Sequence, residues 1–323
     1  MKPVTIGCAG ILVEDIFCGP LSAFPEEGSL TAVPSLPTLA GGCAANVAID
    51  LAKQGAHVEI LGCMGNDAGA AVLSSVFQEY GIRVEQLKIS RTLPTSRTVI
   101  LLIEGQDRRY FHVFGANAEL SAAHFSPGWL RSLRVLYIGG VFALPGLSCD
   151  SLGGIFAQCR ALGVSTVVDV ILPQTWRIPP EGDLAAMLSQ VDFFVPNDDE
   201  ARRMTGESEP RRQVDALLKL GARNVVVTQG DAGVTAAVNG RLWTCHTYKV
   251  SEVDPSGAGD AFTSGLIVGI QEGWPVPQML AYASAVGASA TRKVGTTDSV
   301  FTRAEALAFV EKEPLTVREC SLA

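Results

Sequence analysis

Short apolar runs of four to nine residues recur along the chain, separated by stretches whose apolar positions repeat at helical spacing. The runs predict strands at Val4–Leu12, His57–Leu61, Val135–Ile138, Ser165–Val170, Asp192–Val195 and Asn224–Thr228. The helical stretches are Ala44–Lys53, Gly69–Tyr80, Asp150–Ala161, Leu184–Gln190 and Gln213–Leu220, then Ala258–Glu272, Pro277–Arg292 and Arg303–Lys312 near the end. The strand runs are continuously apolar rather than alternating, as expected of strands covered on both faces. Strand-helix-strand repetition of this kind predicts right-handed crossovers and a parallel sheet between helical layers, an α/β fold of three layers.

Two regions break the rhythm. Glu14–Leu39 holds four prolines and no helical period. Ser96–Phe114 reads as two strands, Thr98–Ile103 and Tyr110–Phe114, joined by Glu104-Gly-Gln-Asp107, which is a hairpin pattern. Together they predict a small β excursion, formed by about 13–40 and 96–115, that covers a site as a lid. With no repeat, linker or low-complexity tract, residues 1–323 are expected to form a single domain carrying that lid.

Composition narrows the classes. Hydrophobic residues at 47% against 18% charged provide a large core and exclude a disordered chain. The net charge is −8, and the paired arginines Arg202-Arg203 and Arg211-Arg212 sit beside acidic residues, so no basic stripe suggests nucleic acid. Eight scattered cysteines without a C-x-x-C predict reduced thiols and a cytoplasmic setting. The apolar start, Val4 to Val13, reads as a buried strand rather than a signal segment, because Glu14-Asp15 follows it directly. No apolar run reaches the ~18 residues of a membrane span, so no membrane partner is expected.

The chemistry concentrates in Asp254-Pro-Ser-Gly-Ala-Gly-Asp260, a proline–glycine loop opening an apolar helix. Small residues leave the first N–H groups of that helix uncovered, and such a terminus attracts phosphate. A carboxylate there would repel a merely bound phosphate, but it suits a base that takes a proton from a hydroxyl attacking beside it. An ordinary acidic helix start is the alternative for this piece alone. A second glycine turn, Gly41-Gly42-Cys43-Ala44-Ala45-Asn46, again opens a helix and offers an amide on its first turns, with helix capping as the plain alternative.

Ala40-Gly41-Gly42-x-x-x-Asn46-x-Ala48 with Gly55 and Gly65, and Asp254-Pro-Ser-Gly-Ala-Gly-Asp260-x-x-x-Ser264-Gly265, resemble the two signatures of the ribokinase-like (PfkB) carbohydrate kinases. Gly115-Ala-Asn117, Asn197-x-x-Glu200 and Thr228-x-Gly230-x-x-Gly233 extend the resemblance over nearly the whole chain. The resemblance implies a ribokinase-like three-layer fold and an ATP-dependent kinase acting on a sugar or sugar-like hydroxyl. It implies that Asp260 is the base and that Gly257, Ala258 and Gly259 form an anion hole. Asn197 and Glu200 match the pair that organises Mg2+ through water. Thr228, Gly230 and Gly233 match the loop bordering the nucleotide, with adenine near Ala281–Arg292 and Gly295. Asp15, Gly41, Gly42 and Asn46 match the sugar-binding positions, and Asp169 matches a position where some members read their sugar. The family often pairs through its lids, which implies a homodimer.

Pro255 departs from the hydroxyl residues many members carry there, and this bears on the monovalent-cation site some of them build beside the loop. No G-x-x-x-x-G-K-[ST] occurs, which excludes a P-loop kinase. The four histidines show no metal-ligand spacing and read as ordinary, and Arg97, Arg108 and Arg109 in the hairpin are candidates to meet an anionic substrate or only water. A nucleoside kinase of the same fold and a non-catalytic ligand-binding member are the alternatives. A dehydrogenase ranks last, because no G-x-G-x-x-G follows the first strand.

Overall fold

The computed structural model describes residues 5–106 and 108–321, so Val4 of the first expected strand and Asp107 of the hairpin turn lie outside the described residues. The chain opens with β1 (Thr5–Gly10), β2 (Val13–Leu21), β3 (Thr38–Gly41) and α1 (Cys43–Lys53). Next come β4 (His57–Leu61), β5 (Cys63–Met64), α2 (Ala68–Glu79), β6 (Lys88–Ile89), and the hairpin β7 (Arg97–Ile103) and β8 (Arg109–Val113). The middle third holds α3 (Pro127–Leu130), β9 (Leu133–Val141), α4 (Cys149–Ala161), β10 (Ser165–Val170), α5 (Glu181–Leu188) and β11 (Phe193–Phe194). There follow α6 (Asp198–Thr205), α7 (Pro210–Lys219), β12 (Val225–Thr228), β13 (Val234–Val238) and β14 (Arg241–Cys245). The chain closes with α8 (Ala258–Glu272), α9 (Val276–Ala290), α10 (Arg303–Lys312) and β15 (Val317–Cys320).

Nine of these strands form one sheet in the order β15-β14-β13-β12-β11-β10-β9-β1-β4. From β4 to β12 every pairing is parallel, and from β12 to β15 every pairing is antiparallel. The mostly parallel α/β architecture expected from the sequence is therefore present. The apolar runs are continuous because successive residues feed two separate cores. Val135 and Tyr137 of β9 join the core containing α1, α8 and α9, while Leu136 and Ile138 join the core containing α4, α5 and α7. Each fully buried Leu or Ile on these faces contributes ~1.5–3 kcal/mol.

Local chemistry sets the helix ends that matter. The Asp67 side chain accepts from Ala70 N–H at the start of α2, and a reciprocal Thr302–Glu305 capping box starts α10. Small residues along α8 let it lie close to α9; a Cβ at Gly265 would stand 2.8 Å from Ala283 Cα.

Four strands stand apart from the main sheet, in the order β3-β2-β7-β8. The pairings β2–β3 and β7–β8 are antiparallel and β2–β7 is parallel. Side chains alternate across this small sheet. Asp15, Thr98 and His112 are register partners on adjacent strands, and they share one face. Glu14 and Arg97, one residue earlier, point the other way and pair with each other at 2.5 Å. The strand β8 is the outer strand and is exposed along its length.

Candidate active site

Asp260 sits in the first turn of α8, and its carboxylate meets the start of α1. Asn46 on α1 donates from Nδ2 to Asp260 Oδ2 at 2.8 Å, across 214 residues of sequence. The amide's other end is fixed too, because Thr296 Oγ1 donates to Asn46 Oδ1 at 3.0 Å. The Cys43 sulfur lies within 4.8 Å of the Asp260 carboxylate. Burial pushes the Asp260 carboxyl above its ordinary range, and the Asn46 bond and the Cys43 thiol act in the opposite direction by favouring its charged form.

The loop before Asp260 is built around Asp254. Asp254 Oδ1 accepts the Ser256 N–H at 3.0 Å and the Ser256 hydroxyl at 2.7 Å, and Oδ2 accepts the Gly295 N–H at 3.1 Å. Arg108, reaching over from the small sheet, donates to Asp254 Oδ1 at 3.1 Å and to Ser256 Oγ. Gly257 precedes α8 with φ +76°, and a Cβ there would lie 2.1 Å from Thr296 O, so only glycine fits. No side chain caps this helix start. Its N–H end, with Gly257 and Gly259 beside it, faces a cavity of about 180 Å3 that Asp260 also lines.

Asp169 at the end of β10 lines the same cavity. It accepts the buried Tyr137 hydroxyl and the Gly140 N–H, the latter at 2.6 Å. Acceptor atoms of Cys43, Asp169 and Asp260 lie within 4.8 Å of one another. Burial, then the charge of Asp260, pushes Asp169 well above the usual carboxylate range, and burial likewise holds Cys43 as a thiol.

Asn197 and Glu200 line the cavity opposite. Asn197 is the N-cap of α6 rather than a helical residue, and the two form a capping box: Asn197 Oδ1 accepts Glu200 N–H at 2.8 Å, and Glu200 Oε2 accepts Asn197 N–H at 2.9 Å. Burial pushes Glu200 up to about 7, opposed by the bond from the Asn197 N–H. The box thus fixes an acid that burial holds above the usual carboxylate range.

Thr228, Gly230 and Gly233 fall at a second, larger cavity of about 590 Å3 that shares Thr228 and Gly259 with the first. Ala258 lines it too, and Ser284, Gly287 and Ala288 of α9 form a wall, which is where the resemblance places adenine. His246, Tyr248 and Lys249 on the loop after β14 also line it. The sequence reading missed them, since nothing local marks that loop.

On the other side of Asp260 lies Asp15 of β2, buried and within the electrostatic reach of Asp260. Burial pushes the Asp15 carboxyl up to about 6, while its hydrogen bond with the Thr98 side chain draws it down. Gly41 is packed directly on this acid, because a Cβ would lie 1.9 Å from Asp15 Oδ2. Gly42 then turns into α1 at φ +88°. The structure therefore brings Asp15, Gly41, Gly42, Asn46 and Asp260 into one place and sets Thr228, Gly230 and Gly233 beyond the α8 N-terminus. The three hairpin arginines are engaged elsewhere: Arg97 with Glu14, Arg108 with Asp254, and Arg109 with Gln106 at 2.8 Å. Cys43 was missed by the sequence reading, though its position three residues before Asn46 on α1 puts it on the same helical face.

The sequence profile described as "pfkB family carbohydrate kinase" matches residues 9–303. Fructokinase-2 from Zea mays is 26% identical over 302 residues, covering 89% of this chain and 88% of its own length. Among solved structures, Arabidopsis thaliana ribokinase complexed with ribose and ATP superposes with a TM-score of 0.83 at 23% identity, covering 96% of this chain and 99% of that one. A chain from E. coli in complex with ATP and Mg2+ gives 0.79 at 20% identity, covering 96% of this chain and all of that one. No helix among the described residues is long and apolar enough to cross a membrane. The profile spans most of the chain and the fold agrees with it: this protein belongs to the pfkB family of carbohydrate kinases.

Proposed function

We propose that this kinase transfers the γ-phosphoryl group of ATP to a hydroxyl of a sugar or sugar-like compound, with Asp260 as the base. The observation that carries the reading is the position of Asp260: a half-buried carboxylate, held by Asn46 and beside Cys43, at an uncapped helix N-terminus between two cavities. ATP supplies the phosphoryl group and Mg2+ neutralises triphosphate charge; every remaining task falls to the chain.

Asp15 receives the substrate through paired hydroxyls, since one carboxylate accepts from two vicinal groups at once. Gly41, Gly42 and Asn46 complete that cradle. Asp260 takes the proton of the attacking hydroxyl, and its half-buried setting, held by Asn46 and beside Cys43, keeps a charged acceptor available without losing basicity. The backbone at Gly257, Ala258 and Gly259 serves as the anion hole, offering N–H groups and the positive end of α8 to charge that builds during transfer. Thr228, Gly230 and Gly233 border the nucleotide. Glu200 is the hard oxygen ligand suited to Mg2+ or its waters, with Asn197 orienting it, and the concentration of raised carboxylates around the small cavity fits a divalent cation. Pro255 lines the nucleotide cavity without supplying a hydroxyl, which argues against a monovalent cation held by that residue.

The small sheet acts as the lid, and Arg108 ties it to the loop at Asp254. Its edge strand β8 presents Phe111 at 60% and Val113 at 56% exposure, which suits pairing with a second copy in a homodimer. Light scattering at high concentration would dismiss that pairing by giving a strict monomer. The eight cysteines are free, in keeping with a reducing, cytoplasmic setting.

The test is a panel of sugars and nucleosides with ATP and Mg2+, read as ADP release and product phosphate ester. Phosphorylation of one sugar well above every nucleoside is expected. A best substrate among the nucleosides would move the assignment to a nucleoside kinase, and no turnover across the panel would overturn the reading.

A further inference from the structure

The residue opposite Asp15 in the small sheet is not an inert partner. Asp15, Thr98 and His112 lie side by side on three adjacent strands. Thr98 is buried directly opposite Asp15 on the neighbouring strand, where its hydroxyl draws the Asp15 pKa down, and its Oγ1 lies 3.0 Å from His112 Nδ1. The direction of the chain follows from its charged end. An ionised carboxylate only accepts, so Thr98 gives its one hydroxyl proton to Asp15 and receives Nδ1–H from His112 on a lone pair. With the Thr98 proton turned to Asp15, the 3.0 Å contact requires the tautomer that carries its proton on Nδ1, and partial desolvation of the ring lowers the His112 pKa, which favours its neutral form. Phe114 packs edge-on against the ring with centroids 4.9 Å apart and holds its plane. Gly41 closes the other side of the Asp15 carboxylate.

We propose that His112 is a positioning residue for substrate recognition, acting through the relay His112 Nδ1–H to Thr98 to Asp15, which fixes the Asp15 carboxylate so that its remaining lone pairs meet the vicinal hydroxyls of the sugar. The inference rests on the reading of Asp15 as the sugar-binding acid, and it extends that site by two residues on β7 and β8. It also gives the lid hairpin a role in recognition: the strand that carries His112 is the one whose preceding residues carry Arg108 to the Asp254 loop.

The test is steady-state kinetics on the full chain, with the best sugar of the panel, for Asp15→Asn, Thr98→Val, His112→Phe, His112→Asn and the Thr98→Val/His112→Phe double variant. His112→Phe keeps the ring against Phe114 and removes the donor; His112→Asn keeps an N–H near the Nδ1 position. Thr98→Val and His112→Phe are each expected to raise the KM for sugar roughly three- to tenfold, with the KM for ATP and kcat within about twofold of wild type. The double variant should be no worse than the worse single one, because both remove the same chain, and His112→Asn should recover most of the loss. A sugar KM unchanged in His112→Phe, while Asp15→Asn raises it, overturns the relay and leaves the role of Asp15 standing. Effects that multiply in the double variant overturn it as well, as does a lowered melting temperature with both KM values altered and no recovery in His112→Asn. A sugar KM unchanged in Asp15→Asn removes the recognition site itself.

Discussion

Two carboxylates of the candidate active site, the buried Asp15 and the half-buried Asp260, are held in different ways. Asp260 stands on α8, whose neighbours α1 and α9 belong to the main core, and its donor Asn46 is locked in turn by Thr296. Asp15 stands on the four-stranded sheet, whose far strand β8 is exposed, and its support is the Thr98–His112 pair. The first arrangement leaves its acid little freedom to move. The second holds its acid on a separate four-stranded sheet that Arg108 ties to the Asp254 loop. Under the proposed roles the contrast is a division of labour, with proton transfer on the side built into the main core, called the rigid side, and substrate capture on the small sheet, called the movable side.

The largest expected effect comes from the rigid side. Asp260→Asn keeps the Asn46 contact sterically but removes the proposed base, and kcat should fall by about 10³-fold, within the range general-base removal gives. ATP affinity measured by calorimetry should be nearly unchanged. Gly257→Ala comes next. Its Cβ would collide with Thr296 O and its φ disfavours any side chain, so the helix start must shift. A loss of about 10²-fold in kcat is expected, the scale of one misplaced anion-hole donor.

The movable side predicts a different signature. Gly41→Ala pushes a methyl into Asp15 Oδ2, so the KM for sugar should rise about tenfold or more with little change in the KM for ATP. If Gly41→Ala lowered kcat as much as Gly257→Ala does, the two sides would not be functionally distinct.

Glu200 gives a pH handle on the rigid side. Burial raises its pKa to about 7, so it is protonated below and ionised above that value. Activity should climb by roughly tenfold from pH 6 to pH 8 at limiting Mg2+. Excess Mg2+ should move the limb to lower pH, because metal and proton compete for the same oxygens. A Glu200→Gln variant should lack the limb.

The smallest effect is on stability. Asp50 lies fully buried one turn beyond Asn46, and neither of its carboxylate oxygens finds a donor within the protein. Burial raises its pKa well above the carboxylate range, with Lys53 opposing and Asp260 reinforcing the shift. A raised pKa means its contribution is full below the unfolded value near 4 and is lost as pH rises toward the folded value. Asp50→Asn should therefore raise the melting temperature by a few degrees at pH 8 and leave it nearly unchanged at pH 4.

The rigid side was also the more legible in the sequence. Asp254–Asp260 and Gly41–Asn46 are contiguous, so their glycines and acids announce a helix start with chemistry attached. What escaped was contact across the fold. Thr296 reaches Asn46 over 250 residues, Tyr137 reaches Asp169 over 32, and Arg108 reaches Asp254 over 146. His112 read as ordinary because the Asp15–Thr98–His112 alignment exists only once three strands are in register. The Asn197–Glu200 pair was visible, but its form was not: the spacing suggested one helical face, and the structure makes it a capping box.

Among the elements, the parallel strands and most helices were legible from apolar runs and helical spacing. The antiparallel extension β13–β14 was missed even though Asn239-Gly240 joins two short runs, with Asn239 at φ +53° and Gly240 at φ +73° as a tight hairpin turn requires. β15 carries charged Arg318 and Glu319 at the sheet's end, where an edge strand has no apolar run to show.

The most direct measurement of the division between the two carboxylates is calorimetric titration of the preferred sugar into Asp260→Asn and Asp15→Asn, each folded by thermal melt. The account predicts that Asp260→Asn binds the sugar with a Kd within a few-fold of wild type while Asp15→Asn loses at least about tenfold. Equal loss in both, or the larger loss in Asp260→Asn, would contradict it.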